Sequence, residues 1–458
     1  MNRIMLAAMA SNSGKTSLMM ALLAGYLEKG IDIRSFKTGP DYIDPMFHEK
    51  ILGLSSRNLD PYMMDKDLIC HLISKDPGDL ALIEGVMGYY DGIGSGTDGS
   101  SYSLAQMTKT PVVLVLKPKG IAASLGAQVQ GMVNFKKDSN IKGVILNGLS
   151  AMMYGYYKKI IEDNTGLKVY GYLKQMDHSL ESRHLGLITA DEVEDLKDLI
   201  REYGEEALKT IDLEGLMALA STAPDLEDHY REPEKIAPVR LALARDLAYS
   251  FYYQDGLDYL RKLGADLLEF SPLKDEPVPE GVHGLYLGGG YPEVYIEKLS
   301  KNQNFLDSLR KAHRNNLPIF AECGGFMTLF ENFKGEDKTY PLAGLIPGSC
   351  WMTDRLQHFG YIDLEAQEDC LIASKGDHIR AHEFHYSTSS VLGETFQGKK
   401  PQSKRGWSAF VSQGNLCGGY PHIHLMANPK AARKFVEHMR DYKEMTDGKG
   451  NDGPGDHK

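Results

Sequence analysis

Two short stretches, one in each half of the chain, bring together residue types that do chemistry. Ser11-Asn12-Ser13-Gly14-Lys15-Thr16-Ser17 lies between an apolar run, residues 4–8, and a helix-period segment, residues 15–29, with Leu18, Leu22 and Leu23 on one face. A strand ending where a helix begins aims backbone N–H groups at phosphate. Lys15 then reaches β/γ-phosphate oxygens and the Thr16 hydroxyl suits Mg²⁺. The usual phosphate-loop spacing would put glycine at Met9, so this loop is a variant, and a plain small-residue turn is the competing reading. In the second stretch Cys323-Gly324-Gly325 follows the apolar run at 318–322. A thiol on a strand-to-helix turn is displayed as a nucleophile, and the helix N-terminus favours its thiolate.

Each stretch has companions. Lys37-Thr38-Gly39-Pro40-Asp41-Tyr42-Ile43-Asp44 and Glu84-Gly85-Val86-Met87-Gly88-Tyr89-Tyr90-Asp91 are polar loops at strand ends, where open α/β sheets bind ligands. Asp41 and Glu84 are candidates for holding Mg²⁺, directly or through water, and Lys37 for neutralising phosphate. Asp41, Asp44 and Asp91 beside Gly and Pro also suit simple turns. Near the cysteine, Gly288-Gly289-Gly290 can supply one oxyanion N–H from Gly289 and Gly324 the other. Bases are offered by His422 and His424 in Gly-Tyr-Pro-His-Ile-His. His382 and His385 offer metal ligands, but without cysteine or HExxH spacing they read as strand residues supporting a site. The four remaining cysteines have no elbow and read as structural. Partitioning-type ATPases carry a second lysine five positions before the first. Ala10 stands there, which favours a metabolic kinase or ligase.

The elements that must position these groups alternate. Residues 31–36, 80–83, 112–116 and 143–146 read as strands, with helical stretches at 122–135 and 154–164, predicting a mostly parallel sheet covered on both faces. A second alternation runs through 239–244, 253–263, 267–270, 284–287 and 318–321. Between them lies a proline- and charge-rich span. The expected organisation is an ATP-binding domain at 1–221, a linker at 222–238, a second domain at 239–445 and a disordered polar tail at 446–458. At 458 residues with 42% hydrophobic and 25% charged, the composition is that of a soluble globular protein. The net charge of −11 argues against a broad nucleic-acid or anionic-membrane surface. Five cysteines without a CxxC pair predict free thiols in a reducing compartment. The first ten residues imitate a signal peptide but read better as a buried strand, and no run approaches a spanning helix, so the expected location is cytoplasmic.

Longer motifs carry a resemblance. SNSGKTS, FKTGPDYIDP, SRNLD (56–60), EGVMGYYDG and RHLGL (183–187) resemble the N-terminal half of cobyrinic acid a,c-diamide synthases. ARDLAYSFYY (244–253), LYLGGGYPE, AECGGFM, MTDRLQHFGY (352–361), AHEFHYS and YPHIH resemble the C-terminal half, in order over about residues 1–440. The resemblance implies an α/β fold of two domains: a P-loop, dethiobiotin-synthetase-like parallel sheet and a class I-like (flavodoxin-like) glutamine amidotransferase domain. It implies a carbon–nitrogen ligase that amidates the a and c carboxylates of a corrinoid with ATP, L-glutamine and Mg²⁺. No nucleic-acid or membrane partner is implied, and the assembly is a homodimer or a monomer. Cys323 is the implied glutaminase nucleophile and His422 the residue that raises its nucleophilicity. His424 stands where ordinary class I enzymes have glutamate, so no Cys-His-Glu triad is implied and His424 stays open as the base. Family members often carry glycine where Ala8 and Asn12 stand. Asn tolerates the left-handed conformation better than most residues. Asp44 and Asp91 lie in loops assigned to the corrinoid. Alternatives are the same chemistry on hydrogenobyrinic acid or nickel sirohydrochlorin, cobyric acid synthase, which fits the motifs less well, or an ATP-dependent module with an inactive amidotransferase-like domain.

Overall fold

The computed structural model describes residues 1–175 and 190–449. The chain divides into two compact units, Met1–Tyr230 and Arg231–Lys458, the division falling inside 222–238. The motif at 183–187 lies outside the described residues.

In the first unit seven strands form one all-parallel sheet: β1 (Arg3–Ala8), β2 (Ile33–Thr38), β3 (Ser56–Leu59), β4 (Leu80–Glu84), β5 (Val112–Leu116), β6 (Ile141–Asn147) and β7 (Lys168–Leu173). Their order is β3-β2-β4-β1-β5-β6-β7. The central strands β1, β4 and β5 are buried at every position, because helices cover both faces of a parallel sheet. The strands predicted from apolar runs are all present. β3 and β7 are additional, the first short and polar (Ser-Arg-Asn-Leu), the second opened by an exposed lysine. The N-terminal apolar run is β1, wholly buried and paired with β4 and β5. No described helix is long and apolar enough to cross a membrane.

The second unit contains β8 (Val239–Ala244), β9 (Ala265–Phe270), β10 (Gly284–Leu287) and β11 (Ile319–Glu322). With Leu416–Gly419 and Val411–Gln413 they form a six-stranded sheet in the order 411–413, 416–419, β11, β10, β8, β9. All but 411–413 are parallel, in a flavodoxin-like order. Between β11 and 411 the expected alternation gives way to four- and five-stranded sheets paired largely antiparallel. Helix Pro429–Lys449 continues through Thr446, where the polar tail was expected to begin. A helix already nucleated adds residues cheaply, and the Thr446 hydroxyl bonds back to the Tyr442 carbonyl at 3.1 Å.

Candidate active sites

The phosphate loop joins β1 to helix Lys15–Glu28. Asn12 (φ 60°) and Gly14 (φ 78°) are both left-handed, so asparagine here adopts the conformation that glycine would. The far wall is Asn147 at the end of β6, whose amide donates to the Ser13 and Gly14 carbonyls at 3.2 and 3.4 Å. A Cβ on Gly14 would stand 1.8 Å from that amide nitrogen. Gly14→Ala must therefore strain the backbone and push Asn147 away. We expect a loss of about 1–3 kcal/mol, read by urea unfolding, and weaker nucleotide binding, read by calorimetry. Ser13 bonds the Ala10 carbonyl at 2.8 Å, Ser11 is exposed, and Ser17 is buried in the first helical turn. The Lys15 ammonium reaches across to the Met87 carbonyl at 2.7 Å, linking the loop to the segment after β4. Burial lowers its pKa.

Beneath the loop is a compact charge cluster. Glu84 Oε1 accepts from the Thr16 hydroxyl at 2.7 Å and lies 3.0 Å from the Lys37 ammonium. Lys37 also pairs with Asp44 and lies 3.8 Å from Asp41. Asp41 turns its other oxygen to the Ile43 and Asp44 N–H groups at the start of helix Ile43–Leu52. Burial works against the Lys37 ammonium, but Glu84, Asp44 and Asp41 outweigh it and hold its pKa up. Burial pushes Glu84 up to about 7, with Lys37 opposing. His48 packs behind, bonded to the Ser35 and Ser56 hydroxyls at 3.0 and 3.2 Å, and burial pushes it down to about 4, leaving it neutral. The cluster thus sets Lys37, with Lys15 nearby, against three carboxyl groups. Glu84 Oε2 is buried with no hydrogen-bond partner. Hydroxyl and carboxyl oxygens, one of them unpartnered, suit a hard divalent cation, so Thr16, Asp41 and Glu84 fit Mg²⁺. Asp44 is buried against Lys37, whereas Asp91 is exposed and accepts from the Gly88 N–H at 2.9 Å. Asn147 and His48 did not stand out in the sequence. The polar residue closing the apolar run Gly-Val-Ile-Leu-Asn marks the first, and nothing local marks the second.

In the second unit Cys323 sits between β11 and the helix Gly324–Thr328, with φ 46° and ψ −104°. This non-glycine left-handed geometry matches a nucleophile elbow. Its N–H donates to the Gly419 carbonyl at 2.7 Å, tying it to the adjacent strand that continues into Tyr420-Pro421-His422. A Cβ on Gly289 would fall 2.4 Å from His422 Cε1, and one on Gly324 3.2 Å from the Gly290 nitrogen. The glycine turn, the elbow and His422 are thereby brought together. His424 is fully buried, accepts from the Ala427 N–H at 3.2 Å and packs on Tyr253 at 4.7 Å between ring centres. Burial pushes His422 down to about 3, so its ring is neutral.

The thiol differs from expectation. Burial, reinforced by Glu293, Glu322 and Glu383, pushes Cys323 well above the usual range, while the Gly324 N–H pulls the other way. A five-residue helix cannot offset that environment. On that balance the resting Cys323 side chain is a neutral thiol. Glu322 is itself pushed up to about 8 by burial, against an ordinary 4.5. Its oxygens accept from the Ile423 N–H at 2.8 Å and the Tyr286 hydroxyl at 2.6 Å. A carboxyl whose pKa is raised on folding holds its proton more tightly in the folded state, so its contribution falls as pH rises from about 4.5 through 8. Glu322→Gln should flatten the decline of thermal stability across that window, as a series of melts at stepped pH will show.

Residues 240–430 match the CobB/CobQ-like glutamine amidotransferase domain family. With the phosphate-loop unit before it, that defines the class: a ligase equipped with its own glutamine amidotransferase domain. The cobyrinate a,c-diamide synthase of Clostridium tetani is 40% identical over 445 residues, covering 95% of this chain and 100% of that protein. That of Listeria monocytogenes is 39% identical over 442 residues (93% and 97%), and that of Fusobacterium nucleatum 39% over 458 (96% and 100%). The chain belongs to the cobyrinate a,c-diamide synthase family.

Proposed function

We propose that this protein converts the a and c side-chain carboxylates of cobyrinic acid to amides, consuming ATP and glutamine. The observation that carries the reading is the left-handed Cys323 elbow with His422 packed against Gly289, in a chain that matches a family member over 95% of its length. Cys323 Sγ attacks the glutamine amide carbon while His422 takes the thiol proton in the same step, so that no free thiolate has to form first. The N–H groups of Gly289 and Gly324 hold the oxyanion. His422 returns the proton to the departing ammonia, leaving a glutamyl thioester that water hydrolyses. His424 is occupied with the Ala427 N–H and supports the strand.

In the first unit a free carboxylate is a poor acyl donor. Transfer of the γ-phosphoryl group from ATP gives an acyl phosphate, and ammonia displaces phosphate to leave amide, ADP and phosphate. Ser11 to Ser17 cradle the nucleotide phosphates, and Lys15 and Lys37 offset the developing charge. Thr16, Asp41 and Glu84 would hold Mg²⁺, which when bound neutralises charge on the transferring phosphates. Of the two loop carboxylates assigned to the corrinoid, Asp91 is the exposed one, while Asp44 reaches it only through the loop that Lys37 anchors.

Mass spectrometry of products from cobyrinic acid, hydrogenobyrinic acid and nickel sirohydrochlorin tests the proposal. Two carboxyl-to-amide changes on cobyrinic acid, dependent on both ATP and glutamine, are expected. Preference for another macrocycle would move the substrate, and no amide on any of them would overturn the reading.

A further inference from the structure

A second group of titratable side chains lies in the antiparallel part of the C-terminal unit. Glu383 and His385 are buried on one face of strand His378–Phe384 and its continuation, and His358 precedes the paired strand Phe359–Ala366. His358 Nδ1 and His385 Nε2 both face the same carboxylate oxygen, Glu383 Oε2, at 3.3 and 3.4 Å. The three ligand atoms lie within 4.8 Å of one another. The other oxygen, Oε1, accepts from the Trp407 indole N–H at 3.0 Å. His385 Nδ1 is 2.7 Å from the Ser387 carbonyl, which can only accept, so that nitrogen carries the proton. In the neutral ring Nε2 then presents a lone pair to a carboxylate oxygen, and either a second ring proton or a metal ion between the two relieves the repulsion.

The geometry points to a divalent transition-metal site of the zinc class, ligated by His358 Nδ1, Glu383 Oε2 and His385 Nε2. The separations of 3.3 and 3.4 Å are longer than good N–H···O bonds, commonly about 2.7–3.2 Å. They match the edge of a tetrahedron with metal–ligand bonds of about 2.0–2.1 Å, which is roughly 3.3–3.4 Å. The supporting shell is also that of a metal site: a ligating histidine donates its other N–H to a backbone carbonyl, and the carboxylate is oriented by its own donor. His385 stacks on Tyr420 at 4.2 Å and 7°, and His358 on Trp407 at 4.2 Å and 23°, so both rings are fixed in place. Two histidines and one carboxylate leave a fourth position for water. Tyr420 stands two residues before His422, so the ion would lie beside the segment that carries the proposed base.

The test uses the full chain, stripped with chelator, dialysed against Zn²⁺ and measured by elemental analysis, with Co²⁺ as spectroscopic probe. One zinc per chain is expected in the wild type and in Cys323→Ala. Glu383→Gln and His385→Phe, the latter keeping a ring on Tyr420, should each lower affinity by at least about tenfold. Cobalt should show visible bands without thiolate charge transfer. No stoichiometric zinc in the wild type, loss of zinc in Cys323→Ala, or undiminished binding in both ligand variants would overturn the proposal. Should either ligand variant lose its near-ultraviolet dichroism, the wild-type cobalt spectrum decides, and a thiolate band counts against the site. Because the readout is metal content, failure here is distinct from failure of the synthase reading.

Discussion

Cys323→Ala should lower glutamine-dependent synthesis by about 10⁴-fold or more, the scale on which removing a covalent nucleophile acts. Synthesis supplied with free ammonia should persist. The reason for the split is chemical: the thiol does nothing but release ammonia, and acyl-phosphate formation uses other residues. Parallel glutaminase and product assays measure it, and persistent glutamine use would remove Cys323 from its role. The raised thiol pKa adds a second expectation. Alkylation of Cys323 by iodoacetamide at pH 7, located by peptide mass, should be slow without glutamine, because little of its thiolate is present to react. His422→Ala should then reduce glutaminase turnover far more than His424→Ala, since only His422 packs against the Gly289 turn. The reverse order would assign the base to His424.

Why was so much of each site readable from the chain alone? A phosphate loop and a cysteine elbow are local: strand, turn and helix are contiguous, and glycine and asparagine mark the left-handed positions. Asn12 at φ 60° and Gly14 at φ 78° show that local logic at work. What surrounds them is not local. Asn147 reaches Gly14 from 133 residues away, and His48 meets Ser56 only because helix Ile43–Leu52 folds over β2 and β3. The sign of a pKa shift depends on that distant packing. At Cys323 the helix terminus is outweighed by burial and by three carboxylates contributed by separate loops and strands. The antiparallel sheets stayed hidden for a different reason. Strand His378–Phe384 alternates exposed and buried residues, and its buried members include Glu383, so no apolar run announces it. The same alternation separates His382 from Glu383 and His385, a distinction that spacing in Ala-His-Glu-Phe-His permits but does not force.

Lys37→Met should be the most damaging single change in the first unit. The ammonium lies 3.0 Å from Glu84 and 3.8 Å from Asp41 and pairs with Asp44, in a setting buried from water. Removing one partner of a buried ion cluster costs about 3–5 kcal/mol, because the remaining charges are left uncompensated. The carboxyls can relieve that cost by binding protons. Glu84, already pushed up to about 7, would rise further without Lys37. A carboxyl raised on folding retains its proton preferentially in the folded state, so its stabilising contribution is present at low pH and lost as pH climbs from its ordinary 4.5. The deficit of the variant should therefore be small at pH 5 and large at pH 8, as urea midpoints at the two values will show. Glu84→Gln in the same chain removes the charge that most needs neutralising and should recover part of the loss. Synthesis from ATP and ammonia should fail in the single variant while glutaminase turnover continues, because the Cys323 machinery belongs to the other unit. Equal stability of variant and wild type at pH 8 would show that Lys37 is not the counter-charge of Glu84 and Asp44, and would leave the phosphate-side cluster without its organising cation.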